Sequence, residues 1–343
     1  MSNFNPSPCI SVILVTWNSA VHMPHCLDCL AAQTLKDFEV VLVDNGSTDG
    51  SLDGLESRWP GLTLRMKRLD ENRGFAAANN LGARLARGHW LALLNTDAFP
   101  DPGWLEKLLQ AAGHYPEFSF FASRQLQANT PQLLDGAGDA FHISGLAWRR
   151  FAGWPSAQFG LEPKEVFSPC AAAALYSRQA FLQVGGFDED FFSYHEDVDL
   201  GFRLRLQGFR CLYVPEAVVE HIGSATLGTQ SDFALYHWQR NFIWSFIQNM
   251  PSALLWGALP AHLMANFIYQ VYYTFRGHGS VLWKGKKDAL RGFSHALHKR
   301  QKIQKTLQVS SVELLRTIER GWLQPYLLGY HIRKIRRLIR TSG

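Results

Sequence analysis

The sequence predicts an α/β domain built on a mostly parallel sheet and followed by a C-terminal helical segment. Three observations carry this. Apolar, β-rich runs alternate with helical stretches through the first hundred residues. The runs stop abruptly in polar clusters: Trp17-Asn18, Asp44-Asn45 and Asn95-Thr96-Asp97. From Asn241 to Phe275 the chain then runs 35 residues without an Asp, Glu, Lys or Arg.

Ile10 to Thr16 is the first predicted strand, and residues 20–32 are helical. Phe38 to Val43 is a second buried strand, stopped by Asp44-Asn45-Gly46-Ser47; a helix follows, with Asp49 near its start. Leu62 to Met66 is a weaker third strand, Phe75 to Ala86 an Ala-rich helix, and His89 to Leu94 the fourth strand. Strands separated in this way by helices form right-handed βαβ units and a parallel sheet. Ligands of such sheets sit at the carboxyl ends of the strands, where the polar clusters lie. Residues 118–168 are less regular and read as short strands and loops lining a cleft. Ala171 to Tyr176 is a strand of small residues and Ser177 to Val184 a short helix. Asp199 to Gln207 is a helix with Leu200, Leu204 and Leu206 partly buried, and Cys211 to Val214 returns as a strand.

With 47% hydrophobic and 18% charged residues, the 343-residue chain is folded rather than disordered. Its net charge of +5 hides an asymmetry: residues 276–343 carry +13 and residues 1–275 carry −8. A basic tail implies an anionic partner, a membrane surface or a nucleic acid, but the tail has no recognisable nucleic-acid motif, so no nucleic-acid partner is expected. Five cysteines, an odd number, fit a reducing cytosol better than a disulfide framework. Met1 to Cys9 has neither a basic start nor a long apolar run, so no signal peptide is expected.

A spanning helix needs ~20 mostly apolar residues. In the uncharged stretch Pro251 and Pro260 break the run, and Gln248, Asn249 and Asn266 interrupt its apolarity. Trp244, Trp256, Tyr269, Tyr272 and Tyr273 suit a membrane interface. The expectation is helices lying on the inner face of the membrane; a helical subdomain packed on the core, or a true span, are the alternatives. From His331 to Arg340, Ile332, Ile335, Leu338 and Ile339 fall near one helical stripe, and five basic residues fit anionic headgroups.

Two acidic stations carry the chemistry. Asp97 lies just past a buried strand, where a carboxylate can hold a divalent cation against a diphosphate. About 100 residues later Glu196-Asp197-x-Asp199 supplies carboxylates able to activate an attacking hydroxyl. Together they point to metal-assisted transfer from a nucleotide-linked donor.

The ordered motifs resemble the family 2 glycosyltransferases, especially the rhamnosyltransferase-like branch. They are Val15-Thr16-Trp17-Asn18, Val43 to Asp49, Asn72-Arg73-Gly74-Phe75 with Asn80-Leu81-Gly82, Leu94 to Asp97, Gly185 to Glu189, Phe192 to Leu200, and Glu220-His221. The resemblance covers roughly residues 10–225. It implies a GT-A, Rossmann-like fold, a nucleotide-sugar donor, Mg²⁺ or Mn²⁺, and inversion at the anomeric carbon. The implied division is a catalytic domain over residues 1–230, with a donor half of about 1–115 and an acceptor half of about 116–230. A helical, basic, membrane-associated segment fills 231–343.

On this resemblance Trp17 stacks on the donor base. Asp44, with Asn45 beside it, accepts from the imide N–H of uracil or thymine; otherwise Asp44 is a turn former or helix cap. Arg73 offsets diphosphate charge beside Gly74, whose turn permits close approach. Asn80 helps fix the nucleotide. Asn95 stands where the family's Asp-x-Asp motif has its first Asp and can still bond ribose; Asp97 is the metal ligand, with His221 completing the site. Asp197 is the catalytic base and Glu196 the competing assignment, with Asp199 capping the following helix. The acceptor is a glycan or lipid-linked saccharide of surface-polysaccharide synthesis. His22, His25, Cys26 and Cys29 resemble a zinc cluster in composition only, because they fall on one amphipathic helix. A nucleotidyltransferase would show a Gly-rich basic loop after the first strand, which Val15 to Asn18 is not. A non-enzymatic scaffold would not need both acidic stations.

Overall fold

The computed structural model describes residues 8–223 and 231–321. The terminal stripe from His331 to Arg340 therefore lies outside the described residues.

The first part alternates as predicted: β1 (Ile10–Thr16), α1 (Met23–Ala31), β2 (Phe38–Asp44), α2 (Leu55–Arg58), β3 (Leu64–Arg68), α3 (Gly74–Leu85) and β4 (Trp90–Asn95). β5 (Ala98–Pro100) and α4 (Trp104–His114) follow. The second part runs β6 (Phe120–Gln127), β7 (Thr130–Ala137), β8 (Asp139–Phe141), β9 (Ala147–Arg149), β10 (Lys164–Val166), β11 (Ala173–Ser177), α5 (Arg178–Gln183), α6 (Glu196–Leu206) and β12 (Cys211–His221). Helices α7 (Asp232–Asn249), α8 (Ser252–Phe275), α9 (Gly279–Arg291), α10 (Phe293–Lys305) and α11 (Ser311–Leu315) complete it.

One large sheet has the order β10-β12-β6-β11-β4-β1-β2-β3. The half β4-β1-β2-β3 is wholly parallel, and its central strands β1 and β2 are buried along nearly their whole length, which is why they read as continuous apolar runs. β11 enters antiparallel between β4 and β6, while β12 runs parallel to β6. α3 lies close on the sheet because Gly82 has no side chain: a Cβ there would sit 2.5 Å from the Ile13 Cγ2.

Register decides where the functional residues go. Thr16 pairs with Asp44 and Val15 with Asn95, so β1, β2 and β4 end level with one another. Ala173 opposite Leu94 starts β11 at that same edge. His221 at the end of β12 pairs with Ala98, and the Ile222 N–H donates to the Asp97 carbonyl at 3.0 Å.

Several expectations need adjustment. The third strand sits two residues later than the apolar run suggests, since it is an edge strand with mixed exposure. β12 runs on past Val214 to His221 through an irregularity between Val214 and Val218, and so pairs with β5. α6 begins at Glu196 rather than Asp199. Asp199 is therefore not a cap: it is fully buried, ion-paired with Arg203 at 2.7 Å and accepting from Asn249 of α7 at 2.7 Å. Pro260 does not break the helix it sits in.

The uncharged stretch divides in two. Its α7 portion is core: Phe242, Phe246, Gln239, Asn241 and Asn249 are buried, and the Trp244 indole donates to the Ala289 carbonyl at 3.0 Å. The Tyr269 ring packs tilted against Trp238, with 5.0 Å between ring centroids. Trp244 and Tyr269 are thus packing residues rather than a surface belt, whereas Trp256 and Tyr272 are exposed. No helix among the described residues is long and apolar enough to cross a membrane.

Candidate active site

A cavity of about 690 Å³ opens at the carboxyl ends of the parallel strands. Trp17, Asn45, Gly74, Asn95, Asp97, Glu196, Asp197 and His221, far apart in sequence, all line it. Asp44, Arg73 and Asn80 are not among its lining residues.

The loops after β1 and β2 are tied together. Asn18 accepts from the Thr48 N–H at 2.9 Å and Asp49 from the Ala20 N–H at 2.9 Å. Asp44 is fully buried; one carboxylate oxygen accepts from the Ser47 N–H at 3.0 Å, the other lies 3.3 Å from the Arg68 Nε. Asn45 clamps the next turn by accepting from the Arg73 N–H at 2.9 Å and donating to the Asn72 side chain at 2.9 Å. The Arg73 side chain is exposed, 3.9 Å from Glu71. Gly74, with φ of +84°, admits the loop that precedes α6: a Cβ would lie 2.6 Å from the Phe192 carbonyl. Its freedom serves the approach of protein backbone. Asn80 is spent in the same way, donating to Phe187 and Glu189 at 2.9 Å each and accepting from the Phe187 N–H at 2.8 Å.

Asp97 and His221 form one wall, with 3.5 Å between the Asp97 carboxylate and the His221 Nε2. The His221 Nδ1 bonds Asp135 at 2.8 Å, so the ring turns its other nitrogen toward Asp97. Burial alone would lower the His221 pKa; its bonds to Asp135 and Asp97 outweigh burial and raise it. Asp135 is in turn ion-paired with Arg149.

Asp197 and Glu196 open α6 and line the same cavity. Asp197 is partly exposed to the cavity and accepts from the backbone N–H groups of Ala171 at 3.3 Å and Val198 at 2.8 Å. Burial raises its pKa, and these N–H donors and Arg149 restrain the rise. Glu196 is buried with one carboxylate oxygen unpartnered among the described residues, and burial, then Asp197, push it well above the ordinary carboxylate range. Of the two, Asp197 is the better equipped to carry charge. The loop before them is unusual: Phe192, Tyr194 and His195 all have positive φ. Asn241 of α7 holds that loop, its amide donating to the carbonyls of Phe191 at 3.0 Å, Ser193 at 3.0 Å and Tyr194 at 2.7 Å.

Sequence reasoning missed Asp135, Asp139, Arg149 and Asn241. Asp139 is a further buried cavity carboxylate whose pKa burial and Asp197 raise. Arg149 pairs with it in register across β8 and β9. Trp148-Arg149 was a visible aromatic–basic pair, but nothing in its surroundings marked it. Asn241 is only the first residue of the uncharged stretch, with nothing in the sequence to set it apart.

This sheet, with a cavity at its strand ends that gathers polar groups from them and a carboxylate from about 100 residues further on, defines a glycosyltransferase of the GT-A fold. The fold is shared with GalNAc-T7, solved with UDP, GalNAc and Mn²⁺ (TM-score 0.58, 18% identity, 71% of this chain and 48% of that one). It is also shared with a mannosyltransferase of Pyrobaculum calidifontis, solved with GDP-Man and Mn²⁺ (TM-score 0.54, 18% identity, 83% of this chain and 88% of that one). The chain belongs to glycosyl transferase family 2, whose profile matches residues 11–185. It is 33% identical over 258 residues to the N-acetylglucosaminyl-diphospho-decaprenol L-rhamnosyltransferase of Mycobacterium tuberculosis, covering 66% of this chain and 81% of that protein. It is 31% identical over 228 residues to the O-antigen biosynthesis protein RfbC of Myxococcus xanthus, covering 64% of this chain and 18% of that protein.

Proposed function

We propose that the chain transfers one sugar from a nucleoside diphosphate to a hydroxyl of a lipid-linked glycan in bacterial surface-polysaccharide synthesis, with inversion at the anomeric carbon. The observation that carries this is the convergence of Asp97 and Asp197 on one cavity. The rhamnosyltransferase relative favours dTDP-rhamnose as donor and a lipid diphosphate-linked acceptor; a UDP-sugar is the second choice.

The donor lies along the strand ends. Trp17 offers a face to the base, Asn95 an amide to the ribose, and Asp44 shapes the loop beneath them. The sugar then points toward Asp197. As the acceptor oxygen attacks the anomeric carbon, its proton passes to the Asp197 carboxylate. The bond to the diphosphate breaks on the opposite face, and the leaving group departs with the electron pair. General-base help of this kind is worth ~10²–10⁴-fold. Arg149 keeps positive charge among Asp135, Asp139 and Asp197 and favours their ionised forms.

Asp97 and His221 fit a divalent cation as a pair of ligands, His221 being oriented by Asp135; diphosphate oxygens and water would complete the shell. Among the described residues no group of three or more His, Cys, Asp or Glu side chains could hold a metal alone. When bound, Mg²⁺ or Mn²⁺ would stabilise charge on the departing diphosphate. The chain would work peripherally on the inner face of the cell membrane, where a lipid-linked acceptor resides.

The test is paired. Asp197→Asn should keep donor affinity and lose at least ~10²-fold in turnover, while Asp97→Ala should lose both turnover and cation dependence. Parent-level transfer by either variant overturns its assignment.

A further inference from the structure

α8 is inside out. A surface helix normally turns apolar residues inward and polar ones to water. In α8 two mid-helix polar residues share the inner face: His262 is 3% exposed and bonds the Ser144 carbonyl at 2.8 Å, and Asn266 is 9% exposed and accepts from the Gln239 amide at 2.8 Å. The opposite face carries Trp256, Leu263, Phe267, Val271 and Phe275, which are 73%, 59%, 64%, 38% and 88% exposed. Their spacing, close to i, i+4, i+7, places them on one stripe, with exposed Pro260 filling the gap between Trp256 and Leu263. The 24-residue helix has no charged residue and is ~36 Å long at about 1.5 Å per residue. An apolar stripe of this length is larger than a water-exposed surface ordinarily tolerates.

Charge says what covers it. Arg276 follows directly, its guanidinium 4.6 Å over the Tyr272 ring, and α9, packed beside α8, exposes Lys284, Lys287 and Arg291. Beyond Phe275 the sequence carries its +13 excess. A second copy meeting this face about a two-fold axis would bring basic rims together, which opposes association. A bilayer with anionic headgroups receives both parts, aromatic and aliphatic side chains below the headgroups and basic ones among them.

Resting on the peripheral placement proposed above, we infer that the outer face of α8 inserts along its length into the surface of an anionic bilayer, while α7 stays in the protein core. The membrane then lies against the helix pair whose other member holds the Phe191–Tyr194 loop, beside the cavity.

Flotation of the full chain with phosphatidylcholine vesicles, with and without phosphatidylglycerol, tests this. The parent should float with the phosphatidylglycerol-containing vesicles. Leu263→Glu/Phe267→Glu should reduce partition at least ~tenfold, because each residue forfeits the burial of a large apolar side chain, while keeping the parent's melting temperature. Should the double variant melt earlier, Trp256→Gln alone makes the same test. Asp197→Asn should float like the parent, so a failure of the catalytic assignment stays separate from a failure of this one. Flotation retained by the α8 variants assigns binding to another surface and overturns the inference. A parent that does not float also overturns it, and a dimer that the variants dissociate would give the face to a second copy.

Discussion

At Glu196 the chain keeps a carboxyl in a place that disfavours its charge. In the unfolded chain it ionises near pH ~4.3; in the fold, burial and Asp197 hold the proton to much higher pH. The folded state thus binds the extra proton, so its contribution to stability is complete below pH ~4.3 and declines as pH rises toward the folded pKa. Glu196→Gln removes this cost. It should match the parent near pH 4 and exceed it in urea midpoint at pH 7–8; a variant less stable at pH 7–8 would mean that Glu196 is ionised and paired. Asp197 gives a kinetic counterpart. A base whose pKa is raised is protonated earlier on acidification, so the acid limb of the rate profile should lie above pH ~3.9, the ordinary aspartate value. A limb at or below that value would point to a different base. The sequence singled out Glu196 and Asp197, and the family resemblance put Asp197 first without a physical ground for the order. That ground is the pair of N–H groups of Ala171 and Val198, one of them 26 residues away.

α6 and α7 form the element that presents the base. The buried trio Asp199, Arg203 and Asn249 joins the two helices. Asp199→Ala leaves Arg203 uncompensated and should cost about 3–5 kcal/mol in chemical denaturation. Asn241 acts nearer the chemistry, since its amide holds three carbonyls of a loop with positive φ. Asn241→Ala should lower kcat by about 10- to 100-fold, the order of loss for a small misplacement of reacting groups. Donor affinity should hardly change, because the hydrogen bonds of the Asn241 side chain go to that loop and to Arg240. An equal loss in donor binding would show that the helix supports the whole cavity instead. These links were not legible beforehand. The uncharged run that contains Asn241 looks the same whether it lies on a membrane or in a protein core; only its packing separates α7 from α8. α4 was different, for Trp104, Leu105, Leu108, Ala111 and Ala112 have helical spacing that could have been read.

For the whole molecule, the cavity is lined by Asp97, Asp139, Glu196 and Asp197 with Arg149 as its arginine, and Asp135 stands behind them on His221 and Arg149. A divalent cation and a diphosphate together should relieve that imbalance better than either alone. Thermal shift with UDP or dTDP should therefore be larger in Mn²⁺ than in chelator, approaching about 2.7 kcal/mol of stabilisation when free nucleotide is 100-fold above its Kd. Equal shifts in both conditions would remove the cation from donor binding. Comparing the two nucleotides also reports the base preference that Trp17 and the Asp44 loop impose.

By itself the sequence determined the parallel half of the sheet, the strand-end positions of Trp17, Asn45, Asn95 and Asp97, and the family. Apolar strands stopped by polar turns are local patterns, and a parallel sheet puts all such stops on one edge. Only the tertiary structure decided that Asp197 and Asp97 line one cavity, because that depends on β11 entering antiparallel and on α7 holding the loop before α6. It also decided that Asn80 and Gly74 serve protein–protein packing inside the chain and that α8, not α7, faces outward. Those outcomes rest on contacts between residues tens to more than a hundred positions apart, and such contacts leave no periodic trace along the chain.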